Sequence, residues 1–287
     1  MTLTIAIVTF NARDDLERCL GAITGAPPAT SHDVVIVDNG STDGAPEMVA
    51  QRFPSMRLIR AAGNIGFGAA NNIAIRQSEG DLVLLLNPDT IVPRGAIDRL
   101  VAELHGAPDA AAIGPRLVDT NGRAELSFGP MPGPLGEARQ KLLGWAHARG
   151  IWPMSSWVER VTSRPRAVAW ASAACLLVRR ADVLRAGLFD ERYFLYWEDV
   201  DLCTALRARG RTVRFTPAVQ VVHARGRSSI GRRPATRLAY RRGQLAFYRK
   251  WRPGWARVVA WYLLARGEHP ESMAGGEGTH GSQAGPR

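Results

Sequence analysis

Apolar and polar positions along this chain fall into two alternating regimes. Residues 34–37 and 82–86 are continuously apolar, and 3–8 are apolar but for Thr4, as in strands covered on both faces. Residues 14–23 carry apolar positions at helical spacing, and Pro27-Pro28 closes that helix. Residues 56–60 read as a third short strand. Gly63-Asn64-Ile65-Gly66-Phe67-Gly68 then opens a helix running to about Gln77. The run 82–86 stops at Asn87-Pro88-Asp89, because Pro88 cannot continue a ladder. A helix is expected from Pro93, with the proline in its first turn, to about His105. Strands alternating with helices predict βαβ units, an α/β fold with a mostly parallel sheet.

Beyond Arg116 the pattern dissolves until Arg166, broken by Pro130, Pro132, Pro134 and Pro153, with one helix expected near 137–148. Such an excursion over a binding face is often functional. Residues 167–178 read as one buried strand containing Trp170, and 179–185 as a short helix. Aromatic residues at 193, 194, 196 and 197 run into Glu198, Asp199 and Asp201, where a helix to about Arg209 begins. Residues 213–215 and 219–222 are short strands, the second ending on His223. Residues 237–252 and 255–264 read as basic amphipathic helices. These readings divide the chain into an α/β domain at 1–230, a basic helical extension at 231–266 and a disordered tail at 267–287.

Composition narrows the class. The 287 residues carry a net charge of +11, and lysine occurs only at 141 and 250. Three scattered cysteines, Cys19, Cys175 and Cys203, indicate neither a disulfide framework nor a zinc site. No leader peptide and no apolar run of membrane-spanning length is expected, which places the protein in the cytoplasm or on the periphery of a membrane. Between Cys203 and Gly267 there are sixteen Arg or Lys and no acid. Two readings fit this stretch: helices suited to an anionic membrane surface, or arginine stems covering a core.

Three strands end on groups suited to ligand binding: Thr9 and Asn11, Asp38 and Asn39, Asn87 and Asp89. In open α/β sheets the ligand lies at the carboxyl ends of the strands. A carboxylate such as Asp89 is placed there to hold a divalent metal against a phosphate. The glycine turn at 66–68 lacks the G-x-G-x-x-G spacing of a dinucleotide site, since Asn71 stands at the third glycine. It brings backbone close to a phosphate or serves as a tight turn. Glu198, Asp199 and Asp201 behind an aromatic wall suit a general base, or merely complement a helix N-terminus. His223 is either structural or a ligand of metal or phosphate.

Taken in order, Val8-Thr9-Phe10-Asn11, Val37-Asp38-Asn39-Gly40, Asn64-x-Gly66-Phe67-Gly68, Leu86-Asn87-Pro88-Asp89, Trp197-Glu198-Asp199-x-Asp201 and His223 resemble glycosyltransferase family 2. The resemblance is to bacterial rhamnosyltransferase-like members with a GT-A fold. It implies an inverting, metal-dependent hexosyltransferase of cell-envelope polysaccharide biosynthesis, peripheral on the inner face of the cell membrane. The donor implied is a dTDP- or UDP-sugar, with L-rhamnose from dTDP-rhamnose the best match. The acceptor implied is a hydroxyl of a lipid-linked or cell-envelope glycan. By the same resemblance Asp199 is the catalytic base. Thr9, Asn11, Asp38, Asn39, Asn64, Gly66 and Asn87 frame the donor nucleotide, and Asp89 and His223 hold Mg²⁺ or Mn²⁺. Trp170, Trp197, Glu198 and Asp201 support the acceptor side. Asn87 departs from the family's D-x-D motif, in which the first residue is an acid.

A nucleotidyltransferase is the first alternative. It would show a basic Gly-rich loop after the first strand, where this chain has Thr9-Phe10-Asn11-Ala12. A non-enzymatic nucleic-acid-binding protein is the second, and it leaves the acids at 89 and 198–201 without a purpose. No nucleic-acid partner is therefore expected.

Overall fold

The computed structural model describes residues 2–224 and 233–268. The glycine/serine-rich loop expected at 226–231 and nearly all of the expected tail lie outside the described residues. The first half of the chain runs β1 (Leu3–Thr9), α1 (Arg13–Gly25), β2 (His32–Asp38), α2 (Ala45–Arg52), β3 (Arg57–Arg60), α3 (Phe67–Gln77), β4 (Leu82–Leu86), β5 (Thr90–Ile91), α4 (Ala96–His105) and β6 (Ala110–Val118). The second half runs β7 (Phe128–Gly129), α5 (Pro134–Ala148), α6 (Met154–Val161), β8 (Arg166–Val168), β9 (Trp170–Ala171), β10 (Cys175–Arg179), α7 (Arg180–Ala186), α8 (Glu198–Ala208), β11 (Thr212–His223), α9 (Arg233–Trp251) and α10 (Pro253–Ala265).

The central sheet has the order β3-β2-β1-β4-β10-β6-β11-β5, with β8 also on β11. The ladders β1–β2, β1–β4, β2–β3 and β6–β11 are parallel. β10 enters antiparallel between β4 and β6. Successive side chains of a strand point to opposite faces, so the apolar runs feed two cores. Leu3, Ile5, Ile7, Leu82, Leu84 and Leu86 pack beneath α1, α2 and α4. Ala6, Val8, Val83 and Leu85 pack against α3, α7 and α8. This two-sided burial is why those strands show no polar alternation.

Four local expectations need correction. The helix expected from Pro93 starts at Ala96, after Gly95 turns the chain at φ +75°. The run 110–118 is a nine-residue strand that periodicity did not reveal. Its alanines and glycine are poor strand formers, but the space is narrow: a Cβ on Gly114 would lie 3.0 Å from the Cβ of Ala171. Residues 167–178 form three pieces, because Ala174 N–H donates to Ser172 Oγ and Ser172 N–H to Ser127 O, turning the chain between β9 and β10. Residues 212–223 are one strand with a register shift between Thr216 and Gln220.

The two C-terminal helices differ from each other. In α9, Phe247 and Tyr248 are fully buried, and they pack with Trp197, Tyr193 and, from α10, Val259 and Leu263. Part of the positive charge of α9 is held in ion pairs. Arg241 Nε lies 2.6 Å from Glu268 Oε2, Arg237 also pairs with Glu268, and Lys250 Nζ reaches Asp190 at 2.9 Å and Asp201 at 2.8 Å. In α10 the sole charged residue is Arg257, and the helix is apolar on both its inner and outer faces, so the basic amphipathic pattern expected at 255–264 does not hold.

Candidate active site

β1, β2 and β4 lie side by side and parallel, so their ends meet at one edge of the sheet. Thr9 stands opposite Asp38 in the register. Thr9, Asp38 and Asn39 are buried. Asp38 accepts from Ser41 N–H at 3.2 and 3.3 Å. Asn11, in the left-handed region at φ 50°, accepts from Thr42 N–H at 2.7 Å and donates its own N–H to Ser41 Oγ at 3.0 Å. Asn11 therefore braces one turn against the next. Asn39 Nδ2 donates to Asn64 Oδ1 at 3.0 Å, while Asn39 Oδ1 accepts from Ile65 N–H and Asn64 Oδ1 from Gly66 N–H. These two amides spend their hydrogen bonds on the turn. By contrast, Thr9 Oγ1 and Asn87 Oδ1 are buried with no hydrogen-bond partner among the described residues. Buried polar atoms are normally paired, so these two point to a ligand.

Gly66 joins this edge to the acidic segment. Its φ is +94°, and a Cβ there would lie 2.8 Å from Phe194 O. Phe67 N–H donates to the same carbonyl at 2.9 Å. No other residue type permits both the backbone angle and the approach.

Asp89 lies just past β4. β5 pairs with the end of β11, placing His223 opposite Thr90, and Ala224 N–H donates to Asp89 O at 2.8 Å. His223 Nε2 comes within 3.4 Å of Asp89 Oδ1, and Nδ1 within 3.2 Å of Glu125 Oε2. Burial disfavours the imidazolium. The hydrogen bonds and charges of Asp89 and Glu125 outweigh it and push the ring up to about 9. Glu125 was not anticipated, and nothing local in Ala124-Glu125-Leu126 announces it. A carboxylate on the far nitrogen of a histidine is the arrangement that orients metal-ligating imidazoles. Among the described residues no group of three or more His, Cys, Asp or Glu converges as a complete metal site. The donor set Asp89, His223 Nε2 and the unpartnered Asn87 Oδ1 fits a cation whose remaining oxygens come from a bound diphosphate.

The acidic segment is strained at its entry. Tyr196 and Trp197 both hold positive φ, 67° and 74°. Such outliers persist only where surrounding packing enforces them. Here Gly243 of α9 presses on the turn, and a Cβ on it would lie 2.8 Å from Tyr196 O. Asp199 accepts from Val200 N–H at 2.8 Å and also from Ala173 N–H, yet burial prevails and pushes its carboxyl up to about 6. Burial and the charge of Asp199 hold Glu198 well above the usual range, and Glu198 Oε2 has no partner among the described residues. The turn at Ala173 also reaches the strand edge, since Ala174 O accepts from Asn87 N–H at 2.9 Å.

Asp201 turns away from this cluster. It accepts from Trp251 Nε1 at 2.6 Å, Tyr193 Oη at 3.1 Å and Lys250 Nζ at 2.8 Å. It thus ties α8 to the end of α9, and its link to an acceptor is at most through that packing.

Asp199, Trp170 and Trp197 line one cavity of about 560 Å³. Its other wall comes from the 116–166 excursion and α9, including Glu137, Lys141 and Tyr240. Glu137 accepts from Tyr248 Oη at 2.5 Å and Gln244 Nε2 at 2.7 Å, and burial raises its carboxyl. The spacing of Glu137 and Lys141 was legible as an i,i+4 pair on a helix; its seat against α9 was not.

A strand edge with unpartnered polar atoms, an Asp–His pair beside it and the half-buried carboxylate of Asp199 in a separate cavity wall are carried on an α/β fold of the GT-A type. Residues 4–181 match the glycosyl transferase family 2 profile, and the chain belongs to that family. It is 35% identical over 274 residues to the N-acetylglucosaminyl-diphospho-decaprenol L-rhamnosyltransferase of Mycobacterium tuberculosis, covering 91% of this chain and 89% of that one. It is 25% identical over 227 residues to the rhamnosyltransferase WbbL of Escherichia coli, covering 76% and 82%. In fold it is similar to a mannosyltransferase from Pyrobaculum calidifontis solved with GDP-Man and Mn²⁺. That match has a TM-score of 0.58 at 20% identity and covers 92% of this chain and 74% of the other. The protein is a glycosyltransferase that transfers a sugar.

Proposed function

We propose that this glycosyltransferase moves L-rhamnose from dTDP-rhamnose, with inversion, to a hydroxyl of a polyprenyl-diphosphate-linked N-acetylglucosamine acceptor. It would work at the inner face of the cell membrane. The raised carboxyl of Asp199, in the cavity wall behind an enforced turn, is the observation that carries this reading. The Mycobacterium tuberculosis relative supports the choice of sugar and acceptor.

In this mechanism Thr9 and Asp38 take the nucleoside, with Asn11, Asn39, Asn64 and Gly66 shaping the turn around it. Asn87 Oδ1 and Asp89 face the diphosphate. Asp89 and His223 would hold a divalent cation, which would neutralise charge on the departing diphosphate. Trp170 and Trp197 wall the acceptor side and exclude water. Burial disfavours the charged form of Glu198 and so opposes a second negative charge beside Asp199. Asp199 takes the proton of the acceptor hydroxyl as its oxygen bonds to the anomeric carbon. The bond from that carbon to the diphosphate oxygen breaks on the opposite face, and dTDP leaves. One base suffices, and no covalent intermediate forms.

The test is thermal unfolding with dTDP, UDP and GDP, each with and without Mn²⁺, since a ligand that binds only the native state raises Tm. A Mn²⁺-dependent rise largest with dTDP supports the reading. A rise largest with UDP or GDP overturns the rhamnose donor, and none with any nucleotide overturns the donor site.

A further inference from the structure

A surface helix of a water-soluble domain ordinarily has one apolar stripe and one polar face. α10 does not. Ala256, Val259 and Leu263 fill its inner face. Outward it exposes Trp255, Val258, Trp261, Tyr262 and Leu264, with Trp261 72% accessible. A second uncovered set lies on α5 and just beyond, where Leu142, Trp145 and Trp152 are 60%, 50% and 78% accessible. Both helices pack on α9: Glu137 and Lys141 of α5 reach Gln244, Tyr248 and Tyr240, and Val259 and Leu263 of α10 share a core cluster with Phe247 and Tyr248.

Charge selects what covers this face. Arg149 lies over the Trp145 ring at 4.4 Å and Arg266 over Tyr262 at 5.7 Å, and Arg252 and Arg257 are exposed on and beside α10. The acids nearby are spent inward: Glu137 on α9, Glu268 on Arg237 and Arg241. A second copy docking through the same patch would set these arginines against one another. An anionic lipid surface complements them, and tryptophan, tyrosine and arginine together are the side chains of a bilayer interface. At 13 residues α10 is about 20 Å long, short of the ~30 Å hydrocarbon core. No helix among the described residues is long and apolar enough to cross a membrane.

We propose that the outer faces of α10 and α5 form a single docking surface that lies in the interface of an anionic phospholipid bilayer. α5 also walls the acceptor cavity through Glu137, Lys141 and Gly144. A lipid-linked acceptor in the same leaflet then reaches Asp199 by passing α5 without leaving the membrane. This last step rests on the transferase reading; the docking itself does not.

The experiment is co-sedimentation of the full chain with phosphatidylcholine vesicles and with vesicles containing phosphatidylglycerol. It compares wild type with Trp261→Gln/Leu264→Gln and with Leu142→Gln/Trp145→Gln. The substituted residues are exposed, so the fold survives, and matched Tm values check this. We expect at least tenfold stronger binding to the anionic vesicles and a loss of at least tenfold in each variant. Transfer to a vesicle-embedded acceptor should fall in parallel, while transfer to a short-chain soluble acceptor stays level. Wild type that ignores the anionic vesicles, variants that bind as wild type does, or a dimer dissolved by these substitutions would each overturn the proposal. Vesicle binding as expected with no transfer to any acceptor would overturn the transferase reading alone.

Discussion

His223 Nε2 lies 3.4 Å from Asp89 Oδ1, across two strands that meet only at the sheet edge. The pair is held from behind by Glu125. Asp89→Ala and His223→Ala should each abolish the Mn²⁺-dependent part of donor binding, read by calorimetry with and without the ion. Glu125→Gln keeps the volume but weakens the hold on the ring. We expect a 10–100-fold loss of Mn²⁺ affinity there, the usual scale for a carboxylate behind a ligating histidine. Unchanged affinity in all three would remove the metal assignment.

Asp199→Asn should lower kcat by about 10²–10⁴-fold while donor binding persists. In wild type, kcat/KM should rise with pH through about 6 and then level, as the base loses its proton. The sign for stability is opposite. The folded carboxyl titrates above its unfolded value of about 3.9, so its contribution is full at low pH and lost as pH rises through about 6. The Asn variant should therefore melt higher than wild type at pH 8 and equal to it near pH 4. Melting curves at the two pH values decide this.

Removing Asp201 leaves Lys250, Trp251 Nε1 and Tyr193 Oη without their shared acceptor. Lys250 keeps Asp190 as a partner, so the cost is that of the two buried donors left unsatisfied, about 1–3 kcal/mol each. Asp201→Ala should lower Tm by roughly 6 °C or more. Loss of activity without loss of stability would instead place Asp201 at the acceptor.

Gly243→Ala puts a methyl group 2.8 Å from Tyr196 O. α9 must move off the Tyr196–Trp197 turn or the turn must relax. Either shift moves Asp199, so kcat should fall while donor affinity, set at the far strand edge, stays within about twofold. Parallel kinetics and nucleotide titrations separate the two effects.

Continuous apolar runs ending on Thr9, Asp38 and Asn87-Pro88-Asp89 sufficed to place strands β1, β2 and β4 and to set their polar ends at one edge. That inference is local: a strand buried on both faces cannot alternate, and proline ends a ladder wherever it stands. The acids after the aromatic wall were legible for the same reason. Composition could not separate them, however, and only the packing of α9 against α8 turned Asp201 away while Asp199 faced the cavity.

Other features depend on partners far along the chain. β6 opens on three alanines and carries Gly114 and Pro115, so its first half announces no strand, and pairing with β10 and β11 makes it one. Glu125 has meaning only once β5 draws His223 to Asp89, and Glu137 only once α9 brings Tyr248 and Gln244 to it. The C-terminal charge was conspicuous in sequence, yet Arg211, Arg241 and Lys250 are drawn into ion pairs with acids of the fold. What it leaves uncovered is the apolar outer face of α10. The sequence alone determined which segments are buried and where chemistry-bearing side chains end a strand, because burial and termination act through neighbours in the chain. The tertiary structure decided which of those side chains share a site, because long-range ion pairs and strand insertion depend on groups that only folding brings together.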